Sequence, residues 1–560
     1  MDNTSQRLIR DVETVEKLWF GAGLGLNQQG ETGTFRVSKL GSLTVARYKP
    51  YDYDQLQMIP VSLESQLAPG TLEYAIHQLI EKRIDTSVFD SKYCNDKTGR
   101  TAYDPKVLLK IVLFAYARGI LHSRRMERAC QENVTFMALA CGQAPDHSTL
   151  ASFVSSMGEE RIVRLFTQVL LVCEQEGLLG GTQFSLDGLK LASNASKEWS
   201  GTTADLLKKQ EKLQAKVKDA IREHREEDLG GGDPDGQREQ RRIRRLKRQA
   251  VRIERFLAKT APKQGSCGKE IQSNVTDNES AKMATSHGVI QGYNAQAMVD
   301  AKRQVVVHAE ALGEGQDASA VAPMLAGAER NLQAAGVAEE PLKDAIVSAD
   351  TGYFSAENLE ACRDAAVDAY IPDRQFRSRD PRFAEARRHR RSVDKNKQRY
   401  ESKRRWFGPD DFRFDDNTQR LMCPAGQGLY RCGHSYHVRG FLALSYRAPK
   451  RACRDCALRS KCLRHPHTPV RSVCVFYGKR PGSLTDAMKA KIDTPEGRRI
   501  YSRRLGTVEP VFANVRTQKR MDRFTLRGHA KVGIQWKLYC MVHNIEKILN
   551  FGTSFASAVA

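Results

Sequence analysis

The sequence predicts an α/β protein with helices packed on a mixed sheet, an all-helical segment ahead of the sheet and two inserts within it. Three observations lead there. From residue 181 onward, short apolar runs that read as strands alternate with amphipathic runs that read as helices. Ahead of them, residues 71–178 repeat apolar residues at helical spacing. Two stretches, 203–260 and 374–475, interrupt the alternation with basic or Cys-rich sequence. At 560 residues the chain exceeds one ordinary core, so about two to four domains are expected.

The elements follow in chain order. Residues 1–70 are left unassigned, apart from a hairpin pattern in FRVSKLGSLTVARY. TLEYAIHQLIEKRI is helical, and Asp104-Pro105 is a cap with proline at the first helical position before VLLKIVLFAYARGI. HSRRMERACQENVTFMALA continues as helix, and PDHSTLASFVSSM starts another with Ser148 or Thr149 as cap. TQFSLDGLKLASNA is a strand. ADLLKKQEKLQAKVKDAIREH and REQRRIRRLKRQAVRIERFLAK form a helical hairpin around the breaker LGGGDPDG. YNAQAMVDAKRQVVVHAEAL makes two strands with a turn at Asp300-Ala301-Lys302. A helix (SAVAPMLAGAERNLQAAG), a buried strand (DAIVSAD), a helix (SAENLEACRDAAV) and a strand (DAYIPD) complete a mixed sheet spanning 181–202 and 270–373. Residues 490–550 return to helix and complete this core.

Charge narrows the function. Lys plus Arg number 89 against 66 Asp plus Glu, a net +23 that suits a polyanionic partner. No apolar stretch approaches the ~20 residues that span a bilayer, and the start MDNTSQRLIRDVETV has no signal pattern. A cytoplasmic protein on nucleic acid is therefore expected, with no membrane partner. Between Arg238 and Lys259 there are ten Lys/Arg against two Glu, and residues 374–405 hold fourteen against four acids. A solvated hairpin and a basic arm along DNA explain the first equally well. Arg124, Arg125 and Arg128 on one short helix suit DNA contact, with helix packing as the plainer alternative.

Three acids stand out. Asp187 sits within an apolar strand, where an unpaired charge is costly, and Asp350 ends a buried strand, where α/β sheets bind ligands. Glu509 lies in the basic helix YSRRLGTVEPVFANVR, near a predicted helix start at Pro510. Carboxylates brought together select hard cations, Mg²⁺ or Mn²⁺, and two such ions serve phosphodiester chemistry. Tyr501, Arg504, Glu509 and Arg516 make a second group, with Glu509 and Arg516 about two turns apart on one helix face. Arg504 and Arg516 are candidates to grip phosphate. Asn194, Lys197 and Asn294 are weaker substrate candidates, while His287 and His308 read as core or hydrogen-bonded histidines.

Thirteen cysteines in a chain without an export signal should be reduced. Cys453, Cys456 and Cys462, with Cys423 thirty residues earlier, suit a closed tetrahedral zinc site; Cys432 and His434 are alternatives for the fourth ligand. Cys94, Cys130, Cys141, Cys173, Cys362 and Cys540 lie in helical patterns and read as core.

PDHSTLASF, LDGLKLASNASK, GYNAQAMVD, SADTGYF, the Cys-rich insert, YSRRLGTVEPVFANVR and WKLYCMVHN, in that order over residues 70–548, resemble the DDE-type transposases of bacterial insertion sequences. The resemblance implies an RNase H-like core and a helical DNA-binding domain at 71–178. It implies Asp187, Asp350 and Glu509 as the catalytic, metal-holding carboxylates. It also implies a tyrosine–arginine–glutamate–basic signature at Tyr501, Arg504, Glu509 and Arg516. The Arg504–Glu509 gap is one residue longer than the commonest form, and Lys519 rivals Arg516 as the last member. Implied partners are double-stranded DNA, both element ends and target, and a second copy of the chain on paired ends; the implied setting is bacterial and nucleoid-associated. A nuclease that cuts without joining and a silent DNA-binding derivative are the competing expectations.

Overall fold

The computed structural model describes residues 62–92, 101–228, 236–265, 268–286, 288–383, 406–408, 411–415, 417–438, 441–463, 465, 467–477 and 484–553. The hairpin pattern near residue 40, Cys94, His287 and residues 384–405 of the basic stretch 374–405 lie outside them.

Among the described residues, six α-helices precede the sheet: α1 (Leu72–Lys82), α2 (Pro105–Ala117), α3 (Ser123–Glu132), α4 (Val134–Leu139), α5 (His147–Ser155) and α6 (Glu159–Gln175). The Asp104 carboxylate accepts from Lys106 N at 2.7 Å, and Pro105 takes the first helical position. Residues 107–116 of α2 are all buried, so this helix is apolar all round and sits inside the helical layer. The one charge there, Lys110, is paired with Glu81 at 2.9 Å. The cap of α5 is Asp146, not Ser148 or Thr149: its carboxylate accepts from both their backbone N–H groups. A carboxylate two residues ahead reaches those donors better than either hydroxyl reaches its own helix.

The sheet and its first insert follow: β1 (Gln183–Ala192), β2 (Ser200–Gly201), α7 (Thr203–Asp228), α8 (Gly236–Lys259), β3 (Ser273–Asn274), β4 (Ala281–Thr285), β5 (Gly288–Asp300) and β6 (Val306–Leu312). Then come α9 (Val321–Ala334), β7 (Ile346–Ala349), α10 (Ala356–Asp364) and β8 (Asp368–Tyr370). Strand order is β4-β5-β1-β7-β8, with β6 also on β5. β1 runs antiparallel to β5 and parallel to β7, and β7 runs parallel to β8. The mixed α/β expectation therefore holds. Strand β4 was not foreseen, because AKMAT is short and half polar. The hairpin α7–α8 closes on a thin inner seam of Leu206, Val217, Ala220, Ile243 and Ile253.

The second insert is a five-stranded antiparallel sheet, unforeseen from its Cys- and Arg-rich sequence. It comprises β9 (Arg413–Asp415), β10 (Arg420–Met422), β11 (Gly428–Val438), β12 (Phe441–Arg447) and β13 (Ser472–Tyr477). Two short helices, α11 (Lys450–Arg454) and α12 (Arg459–Cys462), lie between β12 and β13. Its core is small: Phe412, Leu421, Leu429, Tyr446, Ala448 and Val473.

Three α-helices follow among the described residues: α13 (Leu484–Asp493), α14 (Pro495–Ala513) and α15 (His529–Phe551). α15 is buried almost continuously from Val532 to Ile545 and packs on α6, α2 and β6. Tyr116 of α2 stacks on its Tyr539 at 4.5 Å. Its Asn544 amide bonds both the N–H and the C=O of Val306 at 2.8 Å, satisfying edge-strand backbone. One hydrophobic cluster consequently runs from Leu67 to Ile548, and the leading helices share the core of the sheet. No helix of the described residues is long and apolar enough to cross a membrane.

Candidate active site

The site starts from a repeated local pattern, Ser185-Leu186-Asp187 on β1 and Ser348-Ala349-Asp350 after β7. The parallel register pairs Ser185 with Ser348 and Leu186 with Ala349, so the two aspartates follow side by side. Residues two apart share a face, and the Ser185 and Ser348 hydroxyls meet at 2.9 Å on the face that bears both acids. Asp350 also caps the turn after β7, accepting from Gly352 N at 2.7 Å.

Helix α14 packs on β1, β5 and β7 and brings Arg504 to this point. Arg504 Nη1 donates to Asp187 Oδ2 at 2.6 Å, with side chains only 9% and 19% exposed. Arg504 Nε is buried without a hydrogen-bond partner among the described residues. Burial raises the Asp187 carboxyl above the ordinary carboxylate range; Arg504 and the Gly188 N–H oppose this, and Asp350 adds to it. Tyr501 joins them: burial pushes its phenol up, with Arg504 opposing and Asp350 reinforcing. Its ring stands edge-on to Phe376 at 5.3 Å.

Behind the pair lies a residue that sequence reasoning missed. Asp317, in the loop between β6 and α9, accepts from Asn294 Nδ2 at 2.6 Å and Gln296 Nε2 at 3.0 Å. A Cβ on Gly352 would stand 2.9 Å from both an Asp317 and an Asp350 carboxylate oxygen, so the two acids flank this glycine. Gln296 also accepts from the buried Tyr353 hydroxyl, which burial keeps neutral and which Asp317, Asp187 and Asp350 hold further from ionising. Gly188 is bare where it faces Gln296: a Cβ there would be 2.3 Å from Gln296 Nε2 and 2.6 Å from Asn294 Oδ1. The only sequence hint of Asp317 is an acid in a glycine-bearing loop, GEGQDAS, which many surface loops share.

The remaining candidates divide. Glu509 is exposed on α14, about 140° around the helix from Arg504 at about 100° per residue. With Asp187 and Asp350 it forms no group of three acids that could hold a metal ion. Glu509-Pro510 is not a helix start either: α14 begins at Pro495 under a Thr494 cap, and Pro510 lies inside it. Proline leaves the Gly506 carbonyl without its helical donor, and Gln304 Nε2 donates to it instead at 2.8 Å. Gly506 leaves open space there, which the proline ring needs. Arg516 is exposed in a π-helical turn, Asn514–Gln518. Lys519 does not present its charge to solvent: it is fully buried and paired with Glu546 at 2.6 Å. Arg124 and Arg125 are exposed on α3, with no ion-pair partner among the described residues, and Arg128 pairs with Glu132.

Asn194 is tied to the C-terminal segment, donating to Thr525 O at 3.0 Å, and Lys197 lies in a 3₁₀ turn. Asn294 is buried and serves Asp317. His308 is buried and bonded to Asn331, as a core histidine should be. Cys130, Cys173, Cys362 and Cys540 are buried, but Cys141 is exposed at a positive φ just beyond α4, where the helix ends. Among the described residues, no three His, Cys, Asp or Glu side chains are grouped as they stand to hold a metal ion. Asp187 and Asp350 give a hard-oxygen pair that fits Mg²⁺ or Mn²⁺ in donor type. The third carboxylate of the expected set is not beside them.

Two family models match the chain. One, described as a transposase DDE domain, covers residues 422–549; the other, described as a transposase domain (DUF772), covers residues 61–156. Both are transposase families. Together they are consistent with a DDE transposase of an insertion sequence and indicate a function in transposition, which implies DNA binding. No curated protein matches the chain. The first transposase match takes in β11 to β13 of the second sheet, α11 to α14 and most of α15; the second takes in α1 to α5.

Proposed function

We propose that this transposase cleaves DNA at the ends of its element and joins the freed 3′-hydroxyls to target DNA. The observation that carries the reading is the parallel Ser-x-Asp register that sets Asp187 beside Asp350, with Arg504 across them. We take the β4–β8 sheet with α14 and α15 as an RNase H-like catalytic core. Asp187 and Asp350 would hold Mg²⁺ or Mn²⁺, and such ions, when bound, activate an attacking oxygen and stabilise a leaving one. The chain's own residues orient the substrate. Arg504, which bonds Asp187, would grip a phosphate beside the pair, with Tyr501 against its guanidinium.

Glu509 remains our third carboxylate. It stands exposed on α14, the helix that also carries Arg504. DNA would lie along the exposed arginines of α8 (Arg241, Arg244, Arg245, Arg248 and Arg252), with Arg124, Arg125 and Arg516 as further phosphate contacts. We place α1–α6 as the domain that binds terminal repeats, and two copies of the chain on paired ends, in the bacterial cytoplasm.

The test is cleavage and joining of a labelled element-end duplex with Mg²⁺, for wild type and for Asp187→Asn, Asp350→Asn and Glu509→Gln. Joining by wild type, lost in all three variants that still bind DNA, supports the reading. Cleavage without joining makes the protein a nuclease, and binding without chemistry makes it a silent DNA-binding derivative. Activity surviving in Glu509→Gln alone removes Glu509 from the set.

A further inference from the structure

The second sheet holds a different kind of site. Cys423, Cys453, Cys456 and Cys462 come from three places: the β10–β11 turn, the end of α11 with the loop behind it, and the end of α12. All four line a single cavity of about 30 Å³, with Phe407 and Leu463 among its apolar walls. That is room for about one water molecule, and an ion needs no more.

The turn carrying Cys423 is built around its sulfur. In Cys423-Pro424-Ala425-Gly426-Gln427, Gly426 takes a φ of +72° and its N–H bonds the Cys423 carbonyl at 2.8 Å. The chain then curls so that Gln427 N–H donates to Cys423 Sγ at 3.3 Å. A backbone donor aimed at sulfur stabilises a thiolate, and the thiolate is the metal-binding form. Two arginines tie the other loops. Arg459 donates to the carbonyls of Cys453 at 2.7 Å and Thr468 at 2.8 Å; Arg471 donates to those of Cys462 at 3.2 Å and Phe407 at 2.7 Å. Four thiolates around a divalent ion leave two net negative charges, and these two cations stand against the ligand loops.

We propose that Cys423, Cys453, Cys456 and Cys462 bind one Zn²⁺ as a closed structural site that holds the β9–β13 insert together. Cys432, an alternative for the fourth ligand, lies on β11 paired with Ser445 of β12 and does not line the cavity; nor does Cys474, which pairs with Ser445 from β13. The four thiols line the cavity without being grouped around an ion as they stand. Soft, tetrahedral, four-thiolate donation is the coordination of structural zinc. The need is physical, because six buried apolar residues make a thin core for a five-stranded sheet, and metal binding supplies folding free energy. The inference rests on the insert alone and stands apart from the carboxylate reading.

The test uses the full chain, purified without chelator, with metal measured by mass spectrometry. Wild type, Asp187→Asn and Cys432→Ser should each carry one zinc per chain, and Cys453→Ser and Cys462→Ser none. Titration of zinc-stripped wild type with Co²⁺ should produce sulfur-to-metal charge-transfer absorption, a readout that does not depend on whether the serine variants fold. Hydrogen exchange should show protection lost over 411–477 on zinc removal and kept over 183–192. A wild-type protein that carries no zinc and gives no thiolate band with Co²⁺ overturns the proposal, and so does loss of zinc in Cys432→Ser with retention in Cys462→Ser.

Discussion

Replacing Lys519 with methionine separates a buried strut from a DNA contact. Its side chain has no exposed surface, and its ammonium meets Glu546 at 2.6 Å and the Asn514 amide oxygen. Methionine fills similar volume but leaves the Glu546 carboxylate without its counter-charge. Breaking one side of a buried pair costs about 3–5 kcal/mol. Glu546 is 20% exposed, so water recovers part of that and the lower end, about 3 kcal/mol, is expected. Lys519→Met/Glu546→Gln removes both charges and should return to within about 1 kcal/mol of wild type. Urea denaturation of the four proteins of this cycle, followed by circular dichroism, measures the coupling. The double variant should also bind element-end DNA with an unchanged salt dependence, since each lost phosphate contact lowers the log–log slope by about 0.9. A Lys519→Met protein as stable as wild type but with a slope reduced by that amount would refute the strut and restore Lys519 as a phosphate ligand.

Other consequences are as direct. Gly188→Ala forces a methyl into the Gln296 and Asn294 amides and should cost about 1–3 kcal/mol with loss of strand transfer, read by joining assays on soluble protein. Asp317→Asn puts an amide against the Asn294 and Gln296 donors; joining should fall while DNA affinity holds, and unchanged joining would remove Asp317 from the site. Burial drops the His543 pKa to about 3, with its ring bonded to the Gln304 carbonyl. The folded state therefore stays neutral while the unfolded chain protonates below its ordinary value near 6.5. Stability should be full above that value and fall by about 1.4 kcal/mol per pH unit below it, until the folded pKa is reached. Denaturation midpoints measured from pH 7 to 5 should show the slope, and His543→Gln should flatten it.

Much of the architecture was legible because local patterns and tertiary demands agree. Asp104-Pro105 starts a helix wherever it stands, and the 3.6-residue pattern of 203–260 specifies a hairpin from contacts within reach of its own turn. Asp187 and Asp350 stood out for the same reason, since a charge beside apolar strand residues needs a partner. The second sheet was hidden because its strands are short, half exposed and closed on few apolar residues, leaving little periodicity to read. Asp317 was hidden because nothing within GEGQDAS distinguishes a loop acid from one carried to Asn294 and Gln296 by strand pairing. The same limit governs α14. Spacing put Glu509 and Arg516 on one face, but which face meets the sheet was decided by packing: Ile500, Arg504, Val508 and Val511 turn inward, and Glu509 turns out. Sequence by itself determined which residues carry charge, sulfur and helical or strand periodicity, because those are properties of neighbours along the chain. Only tertiary structure decided which of them meet, because the register of β1 on β7 and the rotation of α14 are set by burial across hundreds of residues.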